Sequence, residues 1–200
     1  MPTREEVIAA IGRIEPPATA AVLVPLVAGS EGWELLFEVR SQAVAQPGEV
    51  CFPGGHIEPG ENPLDTALRE SREELALPDA DVTPIAPLPL DTLAGRRRVQ
   101  PVAALVAADA LGRLKPSAGE VAEVFTVPVA WFRAHPPAWF EHRPASPDPS
   151  IPPILQGFLA HYDRELRTRY WEYEGHGIWG MTARMIESLL THWEELGLEE

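Results

Sequence analysis

Residues 55–77 read GHIEPGENPLDTALRESREELAL, and this stretch contains the clearest helix signal of the chain. Asn62 is a good N-cap, because its side-chain oxygen can accept hydrogen bonds from backbone N–H groups that have no partner inside the helix. Pro63 suits the first helical position, and Asp65 places a negative charge near the helix N-terminus. Pro78 has no backbone N–H and blocks continuation. We therefore predict a helix between Asn62 and Pro78.

The two sides of this helix differ in chemistry. At about 100° per residue, one narrow and mostly apolar stripe can face a core; it consists of Leu64, Ala67, Leu68, Ser71 and Leu75. Away from the stripe, Glu70, Glu73 and Glu74 are three or four residues apart, so their carboxylates converge. Like charges at this spacing repel by roughly 0.2–0.5 kcal/mol per pair, whereas a divalent cation would reverse the sign. By itself the pattern indicates either a solvated acidic face with arginine partners or a metal site.

The spacing of the fixed residues resembles the box of the Nudix family, G-x5-E-x7-R-E-U-x-E-E-x-G-U, where U is aliphatic. The matching residues are Gly55, Glu61, Arg69, Glu70, Glu73, Glu74 and Leu77. Two positions depart from the pattern. Ser71 stands where an aliphatic residue is usual, and Ala76 replaces the terminal glycine. If Ala76 needs a left-handed backbone, alanine costs about 1 kcal/mol there.

The Nudix resemblance implies an α+β fold, an α/β/α sandwich with a mixed central sheet and a catalytic loop–helix–loop, over residues 1–200 as a single domain. It implies Mg²⁺ or Mn²⁺ as cofactor, bound by Glu70 and Glu74, often with Glu73 and the backbone carbonyl of Gly55. It also implies that Arg69 pairs with Glu61 and orients the box. Such a metal neutralises a diphosphate and lowers the pKa of an attacking water.

The general base is not fixed by the box, because Nudix enzymes use either a box glutamate, here Glu73 or Glu74, or one from a later loop. Glu120 and Glu123, in GEVAEVF, are the best remote candidates. The alternative is that both are outward residues of a half-buried strand.

The segment upstream of the box resembles the signature of coenzyme A pyrophosphatases, R-[SA]-x3-R-x3-G-x3-FPGG. The matching residues are Arg40, Ser41, Gly48, Phe52, Pro53, Gly54 and Gly55. Ala45 occupies the place expected for the second arginine, and the following gap is one residue short. YWEYEGHGIWGMTARMIESLL, near the C-terminus, resembles the same subfamily.

This second resemblance implies hydrolysis of coenzyme A or its derivatives to adenosine 3′,5′-bisphosphate and 4′-phosphopantetheine. Arg40 and Phe52 would contact the substrate, and Arg97, within the basic run 96–98, could bind the 3′-phosphate unless that run is only a solvated turn. Other substrates stay open: ADP-ribose, another nucleotide sugar or an oxidised nucleotide. So does another class of protein, a non-catalytic Nudix domain that senses a ligand or binds a protein, although such domains typically lose box glutamates.

Outside the box, the sequence predicts mixed strands and helices. Residues 3–13 form a helix that begins with a capping box of Thr3 and Glu6. The remaining predicted strands are 18–27, 33–39, 49–52, 99–107, 121–127 and 170–174, and the remaining helices are 129–134 and 181–196. Residues 135–153 are dense in proline but contain aromatic residues, which favours an ordered surface loop or insertion over a linker.

Composition limits the partners. A net charge of −14 argues against a nucleic-acid binder, which needs a basic surface. No stretch approaches the eighteen or so apolar residues that span a bilayer. Cys51 is the one cysteine, which excludes an intramolecular disulfide and makes the cytoplasm the expected compartment. We expect a small-molecule diphosphate as the partner of a monomer or homodimer, and structural roles for His56 and His176.

Overall fold

The structure is a computed structural model that describes residues 1–14, 17–89, 98–144, 148–160 and 162–198. Its α-helices are α1 (Arg4–Ile11), α2 (Pro63–Leu75), α3 (Val129–Ala134), α4 (Pro153–Leu159) and α5 (Gly180–Thr191). Its first five strands are β1 (Ala20–Gly29), β2 (Gly32–Arg40), β3 (Val50–Cys51), β4 (Gly54–His56) and β5 (Val82–Pro87). The other five are β6 (Val99–Val106), β7 (Val121–Pro128), β8 (Ala138–His142), β9 (Leu166–Tyr173) and β10 (His176–Trp179).

A mixed sheet of β1 to β7 forms the centre of the fold. β1 pairs in parallel with β6 from Ala20↔Val99 to Val27↔Val106, and β5 lies antiparallel on the far side of β6. β2 is antiparallel to β1, β3 and β7. β4 pairs with the first residues of β1, which brings the start of the box against the centre of the sheet. The mixed sheet that the resemblance implied is therefore confirmed.

Helices cover both faces of this sheet. Successive residues of a strand point to opposite faces. Leu23 of β1 accordingly packs in a cluster with Leu64 of α2 and Val7 of α1, and its neighbour Val24 packs in a cluster with Ile186 of α5. The α/β/α sandwich is confirmed, and it places α2 on one face with its stripe buried.

The boundaries of α2 follow from local chemistry. The side chain of Asn62 accepts hydrogen bonds from the N–H groups of Leu64 and Asp65, both at 3.0 Å. At the other end Ala76 lies in the left-handed region, with φ 54° and ψ 32°. The five residues of the predicted stripe are all buried. The Ser71 hydroxyl donates to the Ala67 carbonyl at 2.7 Å, which satisfies a polar group that is shielded from water.

A second, antiparallel sheet contains β8, β9 and β10. It corrects one of the two alternatives for residues 135–153, a surface loop, because β8 lies within that segment and pairs with β9 from Ala138↔Tyr170 to His142↔Leu166. Prolines precede β8, and the residues of the strand itself have N–H groups that can pair. Its partner strand is more than twenty residues away in the sequence, so no local signal announces it.

The remaining predicted helices are present: α3 has the predicted ends, whereas α1 and α5 have shifted ends. α1 is bounded by the predicted capping box, in which Glu6 N–H donates to the Thr3 hydroxyl and Thr3 N–H donates to the Glu6 carboxylate. α5 ends at Thr191, and a short 3₁₀ turn, Glu194–Leu196, replaces the last part of the predicted helix. No helix in the part of the chain that the structure describes is long and apolar enough to cross a membrane.

Candidate active site

Arg69 holds the charged groups of the box together. Its Nε and Nη2 donate to the two carboxylate oxygens of Glu61 at 2.9 and 3.2 Å. Its Nη1 donates to Glu70 at 2.9 Å and Glu73 at 3.1 Å, and its Nη2 also reaches the carbonyl of His56 at 3.0 Å. The guanidinium lowers the pKa of Glu61 to about 2, because the hydrogen bonds favour the charged carboxylate. The expected contact of Arg69 with Glu61 is present, and it fixes the loop before α2 to the helix.

Two glycines let the segment before α2 pack closely, Gly55 against the helix and Gly54 against β1. A Cβ atom on Gly55 would lie 2.2 Å from Oε1 of Glu70, and one on Gly54 would lie 2.4 Å from the carbonyl oxygen of Ala21. Gly54 also donates its N–H to Oε2 of Glu74 at 2.9 Å. The loop backbone and the two carboxylates of α2 are therefore in direct contact, which is the arrangement that the expected metal ligands require.

Glu38 is a further acidic residue of the site, and the sequence analysis did not single it out. It lies on β2, it is only 2% exposed, and Cys51 Sγ–H donates to its Oε1 at 3.3 Å. Its Oε2 is buried and has no hydrogen-bond partner among the described residues. Burial raises the pKa of Glu38 and of Glu74, and the repulsion from Glu38 adds to the rise at Glu74. Burial also raises the pKa of Glu70, although Arg69 opposes that effect.

This set of donors fits a hard divalent cation. Glu38, Glu70 and Glu74 crowd negative charge where water is largely excluded, and a cation that prefers oxygen ligands would relieve the repulsion. Within the described ranges, no three His, Cys, Asp or Glu side chains are already arranged to hold an ion. Oε1 of Glu70 is bound to Arg69, and Oε2 of Glu74 is bound to Gly54. Metal binding therefore requires carboxylate rotation inside the cluster.

The two remote glutamates lie in different surroundings. Glu120 is exposed in the turn before β7, and its charge contributes to the raised pKa values of Glu38, Glu70 and Glu74. Glu123 is the β7 partner of Val39, and both lie on the face of the sheet opposite α2. There the Glu123 carboxylate lies 3.2 Å from Nε2 of His176. The structure thus brings Glu120 towards the carboxylates of α2 and places Glu123 away from them.

The two expected substrate contacts lie in different surroundings, because Arg40 lines a cavity whereas Phe52 is buried. Arg40 lines a cavity beside Cys51, with its Nε donating to the Ala45 carbonyl at 2.7 Å. Phe52 is buried in the core, where its ring stacks on Phe37 with 4.8 Å between centroids. Its hydrophobic ring is enclosed between strands and helices, so Phe52 has a packing role. Arg97 lies outside the described residues.

The cavity beside Arg40 was not foreseen. Its volume is about 460 Å³, and it lies between β3, β9 and the start of α5. Five arginines line it: Arg40, Arg164, Arg167, Arg169 and Arg184. In the sequence these arginines are scattered over residues 40–184, unlike the run 96–98, so only the fold shows that they converge.

The model of the NUDIX domain matches residues 17–148 of the chain, which is well over half of its length. The chain belongs to the Nudix family. The matched range contains the whole loop–helix–loop with Arg69 and Glu74, and it also contains Glu38 on β2.

Three relatives resemble this Nudix chain. The peroxisomal coenzyme A diphosphatase NUDT7 of Mus musculus is 38% identical over 62% of this chain and 52% of its own length. The mitochondrial coenzyme A diphosphatase NUDT8 of Homo sapiens is 33% identical over 87% of this chain and 69% of its own. The uncharacterized Nudix hydrolase NudL of Escherichia coli K12 is 32% identical over 85% and 80%. The chain thus spans only about half the length of the mouse relative.

One solved structure supports the fold. The crystal structure of RenU, a Nudix hydrolase from M. smegmatis, matches with a TM-score of 0.50 and 23% identity, over 60% of this chain and 77% of that one. At this identity the likeness concerns the fold alone.

Proposed function

We propose that this protein is a metal-dependent hydrolase of the diphosphate in coenzyme A or its derivatives, with adenosine 3′,5′-bisphosphate and 4′-phosphopantetheine as products. The observation that carries the hydrolase proposal is the carboxylate cluster of Glu38, Glu70 and Glu74, held against the loop by Arg69 and Gly54. The substrate is supported by the two relatives named as coenzyme A diphosphatases.

Each residue of the site has a role in this proposal. Glu70 and Glu74, together with Glu73 and the carbonyl of Gly55, would hold Mg²⁺ or Mn²⁺. The bound metal would neutralise the diphosphate and lower the pKa of the attacking water. Glu73 is 56% exposed, so its carboxylate is the most accessible of the three on α2 and suits an auxiliary ligand.

Residues outside the ligand set would position and activate the reactants. Arg69 would keep Glu61 and the loop in register with α2 through the contacts described above. Glu120 would act as the general base, because it is the exposed carboxylate whose charge acts on the cluster from outside α2. Arg40, at the junction of the carboxylates and the arginine-lined cavity, would bind a substrate phosphate.

The first test of the proposed function is the substitution Glu74→Gln. An amide keeps the size of the side chain but removes the negative charge, so we expect kcat with coenzyme A to fall by at least about 100-fold. Glu58→Gln is the matched control, since Glu58 is an exposed glutamate of the same loop. Circular dichroism checks that both variants are folded. Unchanged turnover in Glu74→Gln would remove this residue from the metal site.

The second test concerns the substrate. Coenzyme A and ADP-ribose are each incubated with the protein and Mg²⁺ or Mn²⁺, and the product masses are measured. The proposal expects masses of adenosine 3′,5′-bisphosphate and 4′-phosphopantetheine from coenzyme A. Cleavage of ADP-ribose alone would overturn the coenzyme A assignment, and cleavage of neither would count against a hydrolase of these substrates.

A further inference from the structure

The arginine-lined cavity is a concentration of positive charge in an acidic chain. The protein has 16 lysine and arginine residues against 30 aspartate and glutamate residues. Even so, five of its arginines line this one cavity of about 460 Å³. Arginine presents several N–H donors in a planar fork that matches phosphate oxygens, which makes such a cavity suited to an anionic group.

The five arginines differ in the contacts that their guanidinium groups already make within the protein. Arg169 forms an ion pair with Glu187, and both Arg167 and Arg169 lie over the ring of Trp139, at 4.3 and 4.2 Å from its centroid. By contrast, Arg164, Arg167 and Arg184 form no ion pair with a carboxylate of the described residues. The cavity is also lined by one carboxylate, that of Glu49, so five guanidinium groups face a single acidic side chain and an anion would find a net positive charge there.

Hydrogen bonds between the other walls of the cavity fix its shape. The hydroxyl of Thr182 donates to the Val50 carbonyl at 2.9 Å, which ties the start of α5 to β3. The hydroxyl of Thr168 accepts from the N–H of Gly180 at 3.2 Å, which ties β9 to the same helix. Arg184 stands two residues after Thr182 on α5, so these contacts fix the helix that carries it. The walls are therefore regular elements joined by hydrogen bonds.

The cavity borders the carboxylate cluster at Cys51 and Arg40. Both residues line the cavity. Cys51 Sγ–H also donates to Glu38, and the charge of Arg40 acts on both Glu38 and Cys51. A substrate whose diphosphate lies at the cluster can therefore extend past Arg40 towards the other arginines.

We propose that Arg164, Arg167 and Arg184 bind a phosphate monoester that the substrate carries apart from its scissile diphosphate. This inference rests on the proposed function, under which the group is the 3′-phosphate of the adenosine of coenzyme A. It assigns recognition of that phosphate to β9, α5 and the residues before β9, and not to the basic run 96–98.

The test compares coenzyme A with 3′-dephospho-coenzyme A, which lacks only this phosphate. We expect the double variant Arg164→Gln/Arg184→Gln to lose at least about tenfold in kcat/KM for coenzyme A, through a higher KM, because it loses charged hydrogen bonds to phosphate. For 3′-dephospho-coenzyme A we expect a change of less than about twofold. The control is Arg13→Gln, since Arg13 is an exposed arginine beyond the end of α1.

Two kinetic outcomes would overturn the inference. An equal loss with both substrates would mean that the arginines serve folding or the diphosphate. No loss with coenzyme A would mean that the cavity does not contact the 3′-phosphate. Circular dichroism of the double variant shows whether an equal loss comes from misfolding, and the single variant Arg164→Gln, at an exposed position, then repeats the comparison.

A binding experiment separates this inference from the proposed function. Adenosine 3′,5′-bisphosphate and adenosine 5′-monophosphate are titrated into the wild-type protein and the double variant by calorimetry. Tighter binding of the bisphosphate to the wild type, lost in the variant, supports the cavity even if coenzyme A is not hydrolysed. Equal binding of both nucleotides to the wild type contradicts it, even if coenzyme A is hydrolysed.

Discussion

Ala76 follows the last turn of α2. Its backbone has a conformation that is unfavourable in free energy for alanine. Its φ of 54° lies in the left-handed region, where a Cβ atom crowds the following carbonyl. The Nudix box usually has glycine at this position. The structure confirms that the residue here adopts a left-handed backbone conformation. Two backbone hydrogen bonds maintain the conformation, from Ala76 N–H to Arg72 and from Leu77 N–H to Ser71.

We therefore predict that Ala76→Gly stabilises the protein by roughly 0.5–1 kcal/mol, since glycine relieves the strain but loses more backbone entropy on folding. The free energy of unfolding in urea measures the change. Ala160→Gly is the matched control, because Ala160 is also an exposed alanine at a helix C-cap but has a right-handed φ of −57°. There we expect destabilisation. The same sign for both substitutions would show that the backbone of Ala76 is not strained.

Glu38 shows why one residue of the site escaped sequence analysis. The box residues were found because they lie at fixed spacings within 23 residues, and the geometry of one helix makes that spacing meaningful. Glu38 belongs to the segment LLFEVR on β2, outside the box. Only the packing of the sheet against α2 brings its carboxylate close to that of Glu74. The available signal was a charge next to buried Phe37 within an apolar strand, which is costly unless the charge has a partner or a function.

At the scale of elements, β4 and α2 meet where Gly55 lies against the carboxylate of Glu70. A methyl group at Gly55 would collide with a flexible side-chain end rather than with backbone. The substitution should therefore displace Glu70 from its place beside the loop without unfolding the protein.

We predict that Gly55→Ala lowers kcat with coenzyme A at least about tenfold, while the free energy of unfolding changes by less than about 1.5 kcal/mol. Steady-state kinetics and urea unfolding measure the two effects. Gly112→Ala is the control, because a Cβ atom at Gly112 meets no atom within 4 Å. Full activity of Gly55→Ala would mean that the contact between Gly55 and Glu70 does not serve catalysis.

Elements with a clear local signal were predicted, whereas short strands without one were not. The ends of α2 were predicted from Asn62, Pro63 and Pro78, which act within a few residues. β4 is three residues long and β8 follows two prolines, so neither has a periodic pattern long enough to read. Both exist because β1 and β9 supply hydrogen-bond partners. The same dependence hid the arginine-lined cavity, which unites residues of β2, β9 and α5.

At the scale of the whole molecule, the buried carboxylates couple stability to pH. Burial raises the pKa of Glu38 to about 7 and of Glu74 to about 8, from an ordinary value of 4.5. Between pH 4.5 and 8 the folded protein retains protons that the unfolded chain has already released. The free energy of unfolding must therefore fall as the pH rises through this window.

We predict that the protein in EDTA has a lower free energy of unfolding at pH 8.5 than at pH 5.5, by on the order of 1–3 kcal/mol. Urea unfolding at both pH values measures the difference. Glu38→Gln should reduce it, because the amide cannot ionise and no longer repels Glu74. Glu123→Gln, on the other face of the sheet, is the control that should leave it unchanged. Stability that stays constant or rises with pH would contradict the assignment of these carboxylates.

The carboxylates and the three arginines of the proposed phosphate site occupy different stretches of the chain. Glu38, Glu70 and Glu74 lie inside residues 17–148, the part that matches the Nudix domain, whereas Arg164, Arg167 and Arg184 lie after it. Mutations in β9 and α5 can therefore change the side chains of the cavity without altering those that surround Glu70. During evolution, the residues that break the bond and the residues that select the substrate can therefore change independently. One stretch of the sequence can be retained while the other varies.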